Sequence, residues 1–295
     1  MDWERLKENW PHSDLSRFVQ AGGVRWHVQQ AGHSGPRVLL LHGTGASSHT
    51  WRDSLLPLAA TAQVLAIDLP GHGFSSLAPG NGMSLPGMAR GIGELLAALH
   101  WPVDVFIGHS AGAAIAMQMV LDQGLQPQAL IGINPAWLPL PGLAGLLFPP
   151  VAKLLALTPL VPRWFAKQAS SPGMLDKLLD STGSRLDARG QALYASLVAS
   201  PSHAQGALHM MAAWDLSSGA AKLRRLQCPV HVWVGENDRT VPPAQAQEAL
   251  ALLRHATLTS WPGTGHLLHE EQPAKWVEGV TLTLAALAAQ PKARA

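Results

Sequence analysis

Cysteine is all but missing from this chain: Cys228 is the only one in 295 residues. A single thiol can build neither a disulfide framework nor a cysteine-based metal site, which fits a reducing cytosol. Charge is also scarce, at 14% of residues, and neither sign dominates, with 21 basic against 19 acidic side chains and a net charge of +2. The sequence pI near 8.9 therefore reflects small numbers near balance and not a polybasic surface, so nucleic-acid binding is not expected. No uncharged run reaches the roughly 20 residues of a spanning helix without prolines. The closest, Asn134 to Pro162, carries only Lys153 but is broken by Pro135, Pro139, Pro141, Pro149, Pro150 and Pro159. Met1 to Trp10 is charged and lacks the apolar core of a signal peptide. No H-x-x-x-H or H-E-x-x-H spacing occurs, so no metal and no cofactor are expected. Apolar residues, by contrast, make up 47% of the chain. That is enough for a sizeable buried core and too much for disorder.

Short apolar runs alternate with helical patterns through the first third, as in a parallel sheet wound on both faces. Arg17 to Gln20 and Val24 to Gln30 flank Ala21-Gly22-Gly23, a hairpin signal. Arg37 to Leu41, Gln63 to Leu69, Val103 to Ile107 and Ala129 to Ile133 read as strands buried on both faces. Helices are expected over Ser48 to Ala59, from near Pro86 to His100 with Ser84 as cap, and over Ala111 to Asp122 with Gly124 at its end. From Pro135 to about Ser218 no strand run appears, which points to a helical insertion. The sheet then resumes with Pro229 to Val234, a helix from Pro243 to Arg254, the strand Ala256 to Trp261 and a final helix from Pro273 to Ala288. The expected division is a core of residues 1–134 and 219–295 with a helical cap, or lid, of residues 135–218.

Gly108-His109-Ser110-Ala111-Gly112 matches G-x-S-x-G and stands directly after a buried strand and before a helix. A serine on that turn projects from the strand end with the positive end of a helix dipole behind it, the placement of a nucleophile. A phosphate loop or a tight packing turn is the alternative. Acyl transfer also needs two donors aimed at an oxyanion. The backbone N–H of Ala111 supplies one, and the N–H of Thr44, in Leu41-His42-Gly43-Thr44-Gly45, supplies the other. His42 is expected to buttress that loop, and with less weight to line a substrate pocket. Gly235-Glu236-Asn237-Asp238 ends a later strand, and Gly265-His266 lies beyond the next. In that order His266 takes the proton of Ser110 and Asp238 holds the imidazole. Glu236 competes for the acid role, but Asp238 lies farther into the loop and is preferred. At the end of the strand before the insertion stands Asn134, whose amide cannot replace a carboxylate. His269, on a following helix, is expected to face elsewhere, and His72 to serve the shape of its loop.

His-Gly-Thr-Gly, Asp-Leu-Pro-Gly-His-Gly, Gly-His-Ser-Ala-Gly-Ala, Gly-Glu-Asn-Asp and Gly-Thr-Gly-His together resemble the α/β-hydrolase superfamily over nearly the whole chain. The resemblance implies a mostly parallel central sheet, helices on both faces and a helical lid. Within it, Met1 to Arg5, Ser16 to Val19, Gly22 to Val28, His42 to Ser47 and Leu85 to Arg90 resemble the magnesium-chelatase accessory proteins of bacteriochlorophyll biosynthesis. That likeness implies a link to magnesium insertion into protoporphyrin, with magnesium chelatase as a partner. Haloalkane dehalogenases and epoxide hydrolases, which share the fold, use an aspartate where this chain has Ser110. Carbon–carbon bond hydrolases often carry Trp after the histidine, where this chain has Leu267.

The insertion is rich in large apolar residues: Trp137, Leu138, Leu143, Leu146, Leu147, Phe148, Leu154, Leu155, Trp164, Phe165, Met210, Met211 and Trp214. Packing of the lid on the core accounts for such a set. A pocket for a large flat ligand such as a porphyrin, walled by His42, Trp137, Met210, Met211 and Trp214, is the functional reading. Peripheral membrane contact by Pro135 to Phe165 is a third. Two functions are expected to compete: a serine hydrolase acting on an ester of a hydrophobic substrate, and a non-catalytic tetrapyrrole- or chelatase-binding accessory. A general carboxylesterase or a cofactor-free haloperoxidase-like enzyme stays open beside them.

Overall fold

The structure, a computed structural model, describes residues 1–139 and 173–289. One eight-stranded sheet runs through it in the order β1-β2-β4-β3-β5-β6-β7-β8. Its strands are β1 (Ser16–Ala21), β2 (Val24–Ala31), β3 (Arg37–Leu41), β4 (Gln63–Ile67), β5 (Val105–His109), β6 (Ala129–Ile133), β7 (Val230–Gly235) and β8 (Ala256–Trp261). The β1–β2 hairpin is antiparallel and joins β4 antiparallel, while β4 through β8 are mutually parallel. Alternate residues of the central strands feed two cores. Leu39, Leu41, Leu65, Ile67 and Phe106 enter one, with Met88, Ile92 and Ile115. Val38, Leu40, Val64, Ala66, Val105 and Ile107 enter the other, with Trp51, Leu55, Trp233 and Trp276. Both faces being covered explains why these strands are continuous apolar runs.

The helices, in chain order, are α1 (Trp3–Leu6), α2 (Leu55–Ala59), α3 (Leu85–Ala98), α4 (Ala111–Asp122), α5 (Met174–Thr182), α6 (Ala188–Val198), α7 (Pro201–Ala213), α8 (Gly219–Leu223), α9 (Pro243–Leu250), α10 (Leu268–Glu271) and α11 (Pro273–Ala289). Ser84 caps α3 by accepting from the Gly87 N–H. The single helix expected over Ser48 to Ala59 is instead a 3-10 turn, Ser48–Trp51, followed by α2. Pro57 has no N–H to give the Asp53 carbonyl and is tolerated only in the first turn of a new helix. Helix α9 stops four residues short of Arg254, because Leu252 N and Leu253 N close tighter turns onto Ala249 O and Leu250 O.

The chain passes from β3 to β4 on one side and returns to β5 on the other, so the carboxyl ends of β3 and β5 border a topological switch point, where such sheets form their crevice. Between β6 and β7 the described residues contribute helices only. Leu179, Leu186, Leu193, Tyr194 and Leu197 of this segment pack on Trp10 of the N-terminal segment and on Ala46, Phe74 and Leu267, in the loops that leave the carboxyl ends of β3, β4 and β8. Leu143, Leu146, Leu147, Phe148, Leu154, Leu155, Trp164 and Phe165, expected in the cap, lie outside the described residues. Among the described residues no helix is long and apolar enough to cross a membrane.

Candidate active site

The turn between β5 and α4 holds Ser110 at φ 51° and ψ −115°, a conformation that costs a residue with a side chain about 1–3 kcal/mol. Three contacts hold it there. Ser110 N donates to Ile133 O at 2.9 Å, and Ala136 N and Ala113 N donate to Ser110 O at 3.2 and 3.1 Å. Gly112 must lack a side chain because a Cβ there would meet Leu41 O at 2.2 Å and His42 O at 2.8 Å. The nucleophile turn and the loop after β3 are thereby pressed together.

Asp238 and His266, at the ends of β7 and β8, meet: His266 Nδ1 donates to Asp238 Oδ2 at 2.7 Å. Asp238 Oδ1 accepts from Thr240 N at 2.7 Å and Val241 N at 2.9 Å, which fixes the carboxylate plane. Glu236, the competitor, is exposed. With its Nδ1 proton given to Asp238, His266 keeps Nε2 free as a base. Ser110 Oγ makes no hydrogen bond to that nitrogen here, a link that often tightens only on substrate binding.

The backbone of His266 is clamped from both sides. Its N–H donates to Thr182 O of α5 at 3.1 Å. Its carbonyl accepts from His109 Nε2 and from Asn134 Nδ2, each at 2.8 Å. Asn134 also donates to Gly265 O at 3.1 Å and accepts from Gly235 N at 2.9 Å. The segment between β6 and β7 enters here too: Thr182 O takes a second bond from Arg239 N at 3.3 Å, and Ser184 Oγ accepts from Leu267 N at 2.8 Å. The turn after α5 thus lies between the acid loop and the histidine loop. His269, expected to face elsewhere, lies behind this pair, its ring 4.7 Å from that of His109, which is itself 4.6 Å from His266. Burial first, and the neighbouring His266 next, hold both His109 and His269 well below the usual imidazole range, so they stay neutral beside the base.

On the oxyanion side, His42 is fully buried and both its ring nitrogens serve the backbone. Nε2 accepts from Leu69 N at 2.9 Å, so Nδ1 carries the proton and donates to Gly43 O at 2.7 Å. That carbonyl shares its peptide plane with the Thr44 N–H, so His42 orients the candidate donor and buttresses the loop. Neither Thr44 N nor Ala111 N is spent on a backbone acceptor among the described residues.

Of the other expected pocket residues, Met210 is buried with its Sδ 3.5 Å from Thr44 Oγ1. Met211 is half-buried. Trp214, half-buried, donates its indole N–H to Met83 O. Trp137 belongs to the core and not to a pocket wall: it is 1% exposed, bonds Ala113 O and lies against Gly132. An indole that size fills the gap between α4 and β6, a role its place in a Trp- and Leu-rich insertion concealed. Nothing in the sequence pattern singles out His109, Thr182 and Ser184 as site residues. Their only visible signal was adjacency, His109 to Ser110 and the Thr182-Gly183-Ser184 run to the end of a helix. Among the described residues no cluster of three or more His, Cys, Asp and Glu could hold a metal ion.

This sheet, with its serine turn and acid–histidine pair at neighbouring strand ends, agrees with a family model, the alpha/beta hydrolase family, which matches residues 38–279, and the chain belongs to that family. Among its relatives, the chain is 39% identical to the magnesium-chelatase 30 kDa subunit of Rhodobacter capsulatus over 271 residues, 92% of this chain and 94% of that protein. In fold it is similar to an alpha/beta hydrolase fold protein from Burkholderia ambifaria (TM-score 0.77, 23% identity, 90% of this chain and 97% of that one). It is also similar to an esterase from Exiguobacterium antarcticum (TM-score 0.75, 22% identity, 91% and 98%).

Proposed function

We propose that the chain is a serine hydrolase that cleaves an ester of a hydrophobic substrate, in the service of magnesium insertion into a tetrapyrrole. The observation that carries this reading is the 2.7 Å bond from His266 Nδ1 to Asp238 Oδ2, which occupies Nδ1 and leaves Nε2 as the ring nitrogen for the base role, at the end of the sheet where Ser110 stands strained. In the proposed reaction Ser110 Oγ attacks the ester carbonyl as His266 Nε2 takes its proton. The N–H groups of Thr44 and Ala111 stabilise the oxyanion, and His266 returns the proton to the departing alcohol. Water, activated by the same base, releases the acid and restores Ser110. Residues 135–218 act as the cap over this site, with Met210, Met211 and Trp214 on its apolar side. A binding protein has no need of a strained serine, so the strain favours turnover.

The second reading rests on the 39% identity to a protein named as a magnesium-chelatase subunit. In it the fold is a tetrapyrrole- or chelatase-binding accessory that turns nothing over. Labelling of the purified protein with a fluorophosphonate separates the two. Under the hydrolase reading the wild type labels, Ser110→Ala does not, and Asp238→Asn labels about ten-thousandfold more slowly. A folded wild type that resists the probe would overturn that reading and leave the accessory role.

A further inference from the structure

The loop that presents the Thr44 N–H is packed at Gly43 and Ala46 but not at its tip, Gly45. Gly45 sits at φ 78°, and a Cβ built on it would meet nothing within 4 Å. Its anchors are hydrogen bonds instead. From the core, His42 Nδ1 and Ala46 N both donate to Gly43 O, at 2.7 and 3.2 Å. From the cap helix α7, His203 Nε2 donates to Gly45 O at 3.1 Å, and Met210 Sδ receives Thr44 Oγ1–H at 3.5 Å.

His203 is buried, and its other ring nitrogen is also committed: Nδ1 accepts from Gly73 N at 3.0 Å. One neutral imidazole therefore ties two loops to α7, the oxyanion loop after β3 and the loop after β4. Ser200 caps α7 one turn earlier, accepting from the His203 N–H, and the His72 ring stands edge-on at 5.3 Å.

We propose that His203 is a positioning residue for the oxyanion loop, so that the cap completes the active site and does not merely cover it. The inference rests on the hydrolase reading for its catalytic consequence, and on the hydrogen bonds alone for the clasp. Loss of the Gly45 bond frees the turn to rotate, and the Thr44 N–H leaves its line to the oxyanion while Ser110, His266 and Asp238 stay where they are.

Two near-isosteric variants separate position from stability. In His203→Asn the amide oxygen lies where Nδ1 lay, so the Gly73 bond survives and the Gly45 bond is lost. In His203→Gln the amide nitrogen lies where Nε2 lay, so the Gly45 bond survives and the Gly73 bond is lost. Each loses one bond of the same kind, so a purely structural role predicts equal damage. The clasp predicts that amides over residues 43–50 exchange hydrogen about tenfold faster in His203→Asn and within about twofold of wild type in His203→Gln. It also predicts that fluorophosphonate labelling at Ser110 slows about tenfold or more in His203→Asn and within about threefold in His203→Gln. Equal behaviour of the two variants, or a wild-type result from His203→Asn in both measurements, would overturn the proposal. A wild type that does not label would overturn the hydrolase reading instead, and the exchange contrast would still decide the clasp.

Discussion

Gly206 of α7 rests on Gly71 so closely that a Cβ on Gly206 would stand 2.0 Å from the Gly71 carbonyl oxygen. The loop beneath is itself rigid: Asp68 accepts from Ser48 N and Phe74 N and pairs with His27 in full burial. The height of α7 over the strand ends is therefore set by two residues without side chains. Gly206→Ala should raise helix propensity by about 1 kcal/mol yet lower overall stability, because forcing a methyl against rigid backbone costs about 1–3 kcal/mol. It should also slow labelling of Ser110, since His203 and Met210 move with the helix. A higher melting temperature with unchanged labelling would show that α7 is free to lift.

Asn134 illustrates how a residue can sit where an acid might and be fully occupied otherwise. Its amide nitrogen faces two carbonyls, Gly265 O and His266 O, and its oxygen faces Gly235 N–H. Asn134→Asp would aim a carboxylate at two carbonyl oxygens inside the protein, at a cost of about 3 kcal/mol or more. Added to Asp238→Asn, it should therefore restore no labelling, although it supplies an acid at a neighbouring strand end. Recovery of labelling in the double variant would show that His266 can turn to a second partner.

The parts of this site that were readable from sequence are those where chemistry and chain direction meet. A buried apolar run followed by G-x-S-x-G marks a strand, a turn and a helix, because glycine is the only residue that fits at 112 against Leu41 O. Asp238 outranked Glu236 on loop position, and Glu236 is exposed while Asp238 faces His266. Contacts between distant segments left no such mark. His203 and Gly45 lie 158 positions apart, and His203 stands among fourteen histidines with no period or spacing to single it out. Trp137 reads as a pocket residue because apolar composition does not tell a core indole from a ligand wall; its burial and its bond to Ala113 O do. His269 reads as facing elsewhere because a helix turns its next residues away, whereas α10 is a single short turn that sets its ring against that of His109.

Buried histidines make stability fall on the acid side of neutrality. Burial holds His49, His72, His109 and His269 well below the ordinary value near 6.5, and lowers His203 to about 4. The unfolded chain protonates these rings below about pH 6.5 while the folded chain does not, so the unfolded state binds more protons and is favoured as pH drops. Each ring contributes about 1.4 kcal/mol per pH unit within that window. The loss begins near pH 6.5 and, for His203, continues to about pH 4. Thermal unfolding should show a level midpoint above about pH 7.5 and a steep fall between about pH 6.5 and 5. A midpoint that stays level down to pH 5 would mean that the folded protein takes up these protons.

Beneath the histidine loop, Arg52, Glu270, Tyr194 and Thr50 form one buried network that joins α6 to the loops after β3 and β8. Glu270, four residues after His266, pairs with Arg52 and accepts from Thr50 Oγ1 at 2.5 Å and from the Tyr194 hydroxyl of α6 at 2.8 Å. With its hydrogen given to Glu270, Thr50 Oγ1 accepts from His269 Nε2 at 2.7 Å. The charges on Arg52 and Glu270 are almost entirely out of water, where breaking a pair costs far more than a surface ion pair is worth. Glu270→Gln should therefore destabilise by about 3 kcal/mol, at the low end for a buried pair because Asp53 and Asp187 still flank Arg52. Tyr194→Phe removes one donor and leaves the pair intact, for a cost of about 1 kcal/mol. Denaturant unfolding of both variants and of the double checks the ranking. Because both side chains meet at one carboxylate, the double should lose less than the sum of the singles. Strict additivity would mean that Tyr194 holds the cap through its ring packing alone.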